Sequence, residues 1–385
     1  MYNILTLNKI SEAGLKHFKS DKYVVSDSVE NPDGIILRSF SMHEYDAPAS
    51  LLAVGRAGAG VNNIPVDDYA KKGIVVFNTP GANANAVKEL VIAALLLASR
   101  DIIGGAKWVE TLDSDSIAKD VEKGKKAFVG PEIYGKTLGV IGLGAIGVRV
   151  ANTALHLGMH VMGYDPFLSV DAAWGLSRHV EKADELSKIF EECDYITLHL
   201  PYNKNTAQMI NKEAFSAMKD GVRLLNFSRA ELVDTAALKE AVDSGKVAKY
   251  ICDFPNNDLS KYNNVIMIPH LGASTPESED NCASMAAVEI IDYLENGNIV
   301  NSVNFPSVSA ARTTEHRIAV IHDNIPSMIS NISNSVANAG INIENLLNSA
   351  KGENAYTLID VNTPVDDALK AAIENIQGVR RVRII

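Results

Sequence analysis

Cysteine is scarce in this chain of 385 residues: only Cys193, Cys252 and Cys282 are present, widely spaced and in no metal-ligand pattern, which points to a reducing cytoplasm. Long apolar runs are missing as well. Although 46% of the residues are hydrophobic, no run approaches the ~18 residues that a membrane span needs. Positive charge is in deficit, 36 Lys and Arg against 47 Asp and Glu, and the net charge of −11 would repel the phosphates of a nucleic acid. An anionic substrate would therefore need local positive charge to bind. The start, MYNILTLNKI, lacks a basic segment followed by a sustained apolar one, so it reads as a first strand rather than a signal peptide. No long repeat or low-complexity tract is visible, and the length suggests two or three domains.

What is present is organised around residues 136–165, KTLGVIGLGAIGVRVANTALHLGMHVMGYD. The apolar run 137–141 suits a buried strand, and Gly142, Gly144 and Gly147 follow it in the spacing G-x-G-x-x-G. A helix is expected next, with Ile146, Val150, Ala154 and Leu157 on its apolar face and Gly158 at its end; 160–163 reads as a second strand closed by Asp165. In such a unit the glycines give a tight turn, a close approach of backbone N–H groups to a pyrophosphate, and room for helix against strand. Asp165, eighteen residues beyond Gly147, can accept both hydrogen bonds of an adenosine ribose diol and would repel a 2′-phosphate, which favours NAD over NADP.

Before this unit, short apolar runs at 4–7, 23–25, 34–37, 51–54 and 74–76 fit a smaller parallel sheet. Arg38 with Ser39, and GRAGAGVNN at 55–63, follow two of these strands, where loops tend to carry ligands. Arg56, set among glycines, can hold a carboxylate or phosphate by paired hydrogen bonds. Residues 78–102 supply a turn, the caps Asn83 and Asn85, and a long apolar helix expected to cross between domains. After the fingerprint, 195–201, 222–238, 250–258 and 264–275 each read as a strand followed by a polar loop, the pattern by which a doubly wound sheet displays chemistry along one edge. A helix over 277–296 leads to VNFP at 303–306, then to a small, polar linker at 307–315. Residues 316–385, with helices expected over 326–338 and 365–376, spell β-α-β-β-α-β, a ferredoxin-like pattern.

Arg229 and His270 each follow a strand downstream of the fingerprint. A guanidinium can clamp a carboxylate, and a histidine can exchange a proton with an alcohol oxygen while hydride moves to nicotinamide; together they describe alcohol oxidation beside a carboxylate.

With GRAGAGVNNI, NTPGANANAVKELV, GKTLGVIGLGAIG with YDP, LHLP, NFSRAELVDTAAL, PHLGASTPESEDNCA and VNFP in this order, the chain resembles the D-2-hydroxyacid dehydrogenases, in the shorter type that carries a C-terminal ACT domain. The resemblance implies an α/β fold: a doubly wound Rossmann NAD domain over 99–279, inserted in a flavodoxin-like substrate domain of 1–98 and 280–306, followed by an ACT domain at 316–385. It makes Arg229 the carboxylate anchor, His270 the acid/base and Asp253 a contact near the nicotinamide. Asp258 stands where relatives usually have a glutamate that raises the histidine's pKa. Other cofactor positions implied are Gly142, Gly144, Ala145, Ile146, Gly147, Asp165, His199, Pro201, Thr206, Phe227, Ser228 and Gly272. Substrate positions are Arg38, Ser39, Arg56, Gly58 and Asn85, with Lys125 or Lys126 as further phosphate candidates.

In the ACT-like segment His322, Asn324 and Asn342 match the pattern of an L-serine effector site, with Ser327 where relatives usually have glycine. The implied reaction is oxidation of 3-phospho-D-glycerate to 3-phosphohydroxypyruvate with NAD, the first step of the phosphorylated route to serine, by a cytoplasmic homodimer or homotetramer. Two other readings remain open: another D-2-hydroxyacid dehydrogenase, such as a hydroxypyruvate or glyoxylate reductase, and an NAD-sensing, corepressor-like interaction protein. The acidic charge together with Arg229 and His270 disfavours the last.

Overall fold

The apolar runs at the start of the chain become five strands: β1 (Tyr2–Leu7), β2 (Tyr23–Ser26), β3 (Gly34–Leu37), β4 (Ala53–Arg56) and β5 (Val75–Asn78). All pair in parallel, in the order β2-β1-β3-β4-β5 of a flavodoxin-like sheet. β3 is buried along its whole length, as a strand covered on both faces requires. β4 begins later than its apolar run, because Leu51 N–H turns back to the Pro48 carbonyl and Leu52 N–H to that of Asp33. Arg56 thereby takes the last strand position, opposite Leu37. The helix Pro276–Asn296 lays Ala283, Ala286, Ala287, Ile290 and Leu294 on Ile4 and Ile36. VNFP is not a strand. Instead the buried Asn304 side chain accepts from Val76 N–H (3.0 Å) and donates to the Ile74 carbonyl (2.9 Å), so its amide closes the open edge of β5.

The second sheet has seven strands: β6 (Thr137–Ile141), β7 (His160–Tyr164), β8 (Glu181–Lys182), β9 (Tyr195–Leu198), β10 (Val222–Asn226), β11 (Val247–Cys252) and β12 (Val265–Met267). They are all parallel, in the order β12-β11-β10-β9-β6-β7-β8, so the winding reverses between β6 and β9. The helices Ala84–Ser99 and Ala145–His156 share a core with Leu138, Val140, Leu225 and Ile251. The second of these buries Gly147, Val148, Val150, Ala151 and Ala154, whereas Leu157 is its exposed C-cap rather than part of the apolar face. Asn85, expected as a cap, is not one. It lies inside the helix Ala84–Ser99 and donates to Glu89 (2.8 Å). Residues 102–128 form the helices Ile102–Glu110 and Ile117–Gly124 and a single 3-10 turn, none of which buries a side chain; the rings of Trp108 and Phe128 hold them together at 5.3 Å.

The C-terminal strands β13 (His316–Asp323), β14 (Ile343–Lys351), β15 (Asn354–Val361) and β16 (Val379–Ile384) make an antiparallel sheet in the order β14-β15-β13-β16. With the helices Met328–Asn338 and Asp367–Glu374 this is the expected β-α-β-β-α-β arrangement. The sheet buries Ile318, Val320, Ile359 and Val361 under those helices, and Ala319, Ile321, Tyr356 and Leu358 in a core with Val75, Phe77 and Tyr293. Residues 307–315 are therefore not a free linker: Val308 is buried and bridges to Ile299.

Arginines complete the packing. Arg317, 1% exposed, fills its five N–H groups with the Asp360 carboxylate (2.6 and 3.1 Å) and the carbonyls of Asn296, Ala310 and Ala311 (2.9, 3.2 and 3.2 Å). Arg383 donates to the Tyr293 and Leu294 carbonyls (2.9 and 2.7 Å), and Arg381 to that of Lys72 (3.2 Å), where helix C-termini leave acceptors that favour a cation.

The structure, a computed structural model, describes residues 1–385. These divide into two compact units, Met1–Asn83 with Pro276–Ile385, and Ala84–Thr275. The divisions fall earlier than 98/99 and 279/280 because the helix Ala84–Ser99 belongs to the second core from its first residue, and the helix Pro276–Asn296 to the first. The C-terminal sheet is no separate unit, since its second face is part of the first unit's core. No helix is long and apolar enough to cross a membrane.

Candidate functional site

The fingerprint loop leaves β6 at Gly142, whose φ of +94° suits glycine; a Cβ there would meet the His199 carbonyl. A Cβ on Gly147 would collide with the Gly142 carbonyl oxygen, so this glycine lets helix and loop touch. Gly144 is different. A Cβ on it would meet nothing within 4 Å, and as N-cap of the helix Ala145–His156 it offers no side chain to the first-turn N–H groups. Backbone donors thus face open space at a helix N-terminus, with Ala145 and Ile146 as the first helical residues, a setting made for an anion. At the end of β7, Asp165 accepts from Leu143 N–H and Phe167 N–H (both 2.8 Å), which fixes its carboxylate beside the glycine loop and leaves a lone pair on each oxygen.

The ends of β9 and β10 lie alongside. Ser228 Oγ donates to the Leu198 carbonyl (2.6 Å), and the buried Asn226 side chain accepts from Ser228 N–H (3.2 Å) and donates to the Arg229 carbonyl (2.8 Å). Asn226 thereby shapes the turn that carries Phe227, Ser228 and Arg229; sequence reasoning missed it, although its place at the end of a strand before an arginine was a usable signal. Phe227 is buried and the Arg229 side chain is exposed. After β9, His199 Nε2 bonds Thr197 (3.0 Å), while its Nδ1 is buried without a partner; burial pushes its pKa down to about 3 and keeps the ring neutral. Thr206 Oγ1 donates to the Pro201 carbonyl (2.7 Å), which shapes the following loop.

β11 and β12 supply the charged centre. Asp253, 2% exposed, accepts from Gly272 N–H through Oδ2 (3.3 Å), whereas its buried Oδ1 has no partner. Burial raises its pKa, and the nearby His270 and Arg229 draw it back. The structure therefore gathers Arg229, Asp253, His270 and Gly272. His270 is exposed, with φ +49°, its N–H turned to the Ile268 carbonyl (2.9 Å) and its ring edge-on to Phe254 at 5.5 Å. Such strain in a non-glycine residue is frequent at functional sites.

Asp258 does not join this group, contrary to expectation. Leu259 is buried and its N–H is held by Asn256 (3.0 Å), so Asp258 turns to solvent, where its charge acts on Tyr262; no hydrogen bond links it to His270.

Of the other expected residues, Arg38, Ser39, Arg56 and Gly58 lie in the first unit at the ends of β3 and β4, and Asn85 in the second. Lys125 pairs with Glu122 (2.6 Å) in the segment without buried side chains, and Lys126 is next to it. His322 is 2% exposed, with Nδ1 on the Asp323 carbonyl and Nε2 on Thr357 (both 2.8 Å). Both nitrogens are engaged inside the sheet. Asn324 and Asn342 are polar tips bonded to Gly352 (3.1 Å) and Glu344 (2.8 Å).

The residues fit a dinucleotide: the cradle at Gly144, the carboxylate of Asp165, and unpartnered buried atoms on Asp253 and His199 along one sheet edge. Comparison agrees. Residues 92–272 match the family model described as D-isomer specific 2-hydroxyacid dehydrogenase, NAD binding domain. The D-3-phosphoglycerate dehydrogenase of Bacillus subtilis (strain 168) is 32% identical over 327 residues, 80% of this chain and 60% of its own length. That of Archaeoglobus fulgidus is 37% identical over 286 residues, 72% of this chain and 52% of its own. The chain thus spans little more than half the length of these curated relatives. Among solved structures, the NAD+-bound 3-phosphoglycerate dehydrogenase of Entamoeba histolytica is similar with a TM-score of 0.60 at 27% identity, covering 79% of this chain and 98% of that one.

Proposed function

We propose that the protein oxidises 3-phospho-D-glycerate to 3-phosphohydroxypyruvate with NAD. The observation that carries the reading is the convergence of Arg229, Asp253 and His270 at the ends of β10, β11 and β12, on the edge that also bears the dinucleotide cradle. The fingerprint loop and the helix N-terminus after it would hold the pyrophosphate, Asp165 the ribose diol, and Asp253 Oδ1 the carboxamide end. The bound cofactor supplies the hydride acceptor. Arg229 clamps the substrate carboxylate and fixes C2 in orientation. His270 takes the hydroxyl proton as the C2–H bond breaks and the carbonyl forms. The carboxylate of Asp253 stabilises the resulting imidazolium, a task Asp258 is too exposed to perform.

On this reading Arg38, Ser39, Arg56 and Gly58 contribute to substrate binding, and the chain acts in the cytoplasm as a homo-oligomer. L-serine would act as effector through His322, Asn324 and Asn342. The test is NADH formation from 3-phosphoglycerate with and without L-serine. A kcat/KM greater for glyoxylate or hydroxypyruvate than for the phosphorylated pair would move the assignment to another 2-hydroxyacid dehydrogenase.

A further inference from the structure

In the first unit, the carboxyl ends of β1, β3 and β4 bring together charged groups, one of them an acid that no step above uses. Arg38 follows β3, and its Nη1 lies 2.5 Å from Oε1 of Glu279, in the first turn of the helix Pro276–Asn296. The backbone beneath Arg38 is pinned from several sides. Asn8 Oδ1 accepts the N–H groups of Ser39 and Phe40 (3.1 and 2.6 Å), and the Arg38 carbonyl accepts from Arg56 Nε (3.1 Å) and Asn63 Nδ2 (3.3 Å). Arg56 in turn folds over Gly58, into the space a Cβ there would fill. The Arg38 guanidinium is less constrained: its side chain and that of Glu279 are 37% and 47% exposed. β1 and β3 flank the point where this sheet reverses its winding, the place an open parallel sheet presents to ligands.

We infer that Glu279 is an internal competitor for the substrate's anionic group: its carboxylate holds Arg38 until a phosphate displaces it. The inference rests on the reading above that Arg38 binds substrate. A dianionic phosphate interacts more strongly with the guanidinium than a single carboxylate does. The displaced Glu279 stays in a favourable field, because a helix's first turn stabilises negative charge. The exchange therefore costs little, and an acid without a phosphate gains less from it. Glu279 thus sets how strongly the site prefers phosphorylated 2-hydroxy acids. Because the pair is exposed, the competition is weak, about two- to five-fold in affinity.

The test uses the full chain and the variants Glu279→Gln, Arg38→Gln and the double variant. Steady-state KM for 3-phosphoglycerate and the inhibition constant of inorganic phosphate are measured for each. Glu279→Gln is expected to lower both constants about two- to five-fold, with a smaller change in kcat, and to have no effect once Arg38 is Gln. An unchanged or raised KM in Glu279→Gln, with Arg38→Gln raising it, overturns the inference and leaves the substrate role of Arg38 standing. A KM unmoved by Arg38→Gln overturns both. A decrease that persists in the double variant also overturns it, since Glu279 would then act by general charge rather than through Arg38.

Discussion

The seven-stranded parallel sheet and the four-stranded antiparallel sheet both carry polar side chains at strand ends, yet they treat them oppositely. Along the parallel edge Asp253 Oδ1 and His199 Nδ1 are buried with no partner, and His270 stands exposed in a strained conformation. In the antiparallel sheet all five N–H groups of Arg317 are engaged, His322 uses both nitrogens, and Arg381 and Arg383 end on helix carbonyls. Unmatched buried polar atoms are costly in a folded protein; Tyr69, Thr79, Glu289 and Tyr293 carry others, but the two on this edge follow β9 and β11 of the sheet that bears the glycine loop, where a ligand could complete them. Engaged ones mark architecture.

The comparison breaks most visibly if activity does not follow the unmatched edge. His270→Ala and Arg229→Gln should each lower kcat/KM by about two to four orders of magnitude with little change in unfolding midpoint, measured by NADH formation and thermal melting. Asp253→Asn should cost at least about tenfold, whereas Asp258→Asn should stay within about twofold and keep the same pH–rate profile; the reverse ranking would restore Asp258 as the partner of His270.

On the architectural side, Arg317→Ala leaves Asp360 buried and unpaired, and should lower unfolding free energy by about 3–5 kcal/mol in denaturant titrations while leaving the KM for NAD in place. A third kind of group lies between these extremes. Glu289 is buried with Oε2 unmatched, and burial raises its pKa to about 8 against an ordinary 4.5. The folded state then holds a proton that the unfolded chain releases, so this group's contribution to stability is fully present below about 4.5 and is lost as pH rises through about 8. Glu289→Gln should flatten that part of the stability–pH curve. The smallest effect concerns Ser327, whose φ of +67° is left-handed: Ser327→Gly should stabilise by about 1 kcal/mol in thermal unfolding.

Much of this was legible beforehand, for local reasons. The β6-helix-β7 unit and the β-α-β-β-α-β ending are encoded by periodicity and glycine spacing, which act over a few residues. Arg229 and His270 were picked out because each lies in the loop after a strand, three residues beyond the ends of β10 and β12, whereas Asp253 came only from the family resemblance. Asn304 closing a sheet edge, Asn226 shaping the Arg229 turn, and the segment at 102–128 were not read, since one is a long-range pairing and the others leave no repeating pattern.

The sequence by itself determined most of the strands of the three sheets and a glycine loop suited to a dinucleotide, with an arginine and a histidine after later strands. Only the tertiary structure decided that Asp258 faces solvent while Asp253 faces the histidine, that His322 is locked, and that the C-terminal sheet shares a core with the first. The reason is physical: residue type and spacing fix local conformation, but which polar atoms find partners depends on surfaces brought together from hundreds of residues apart.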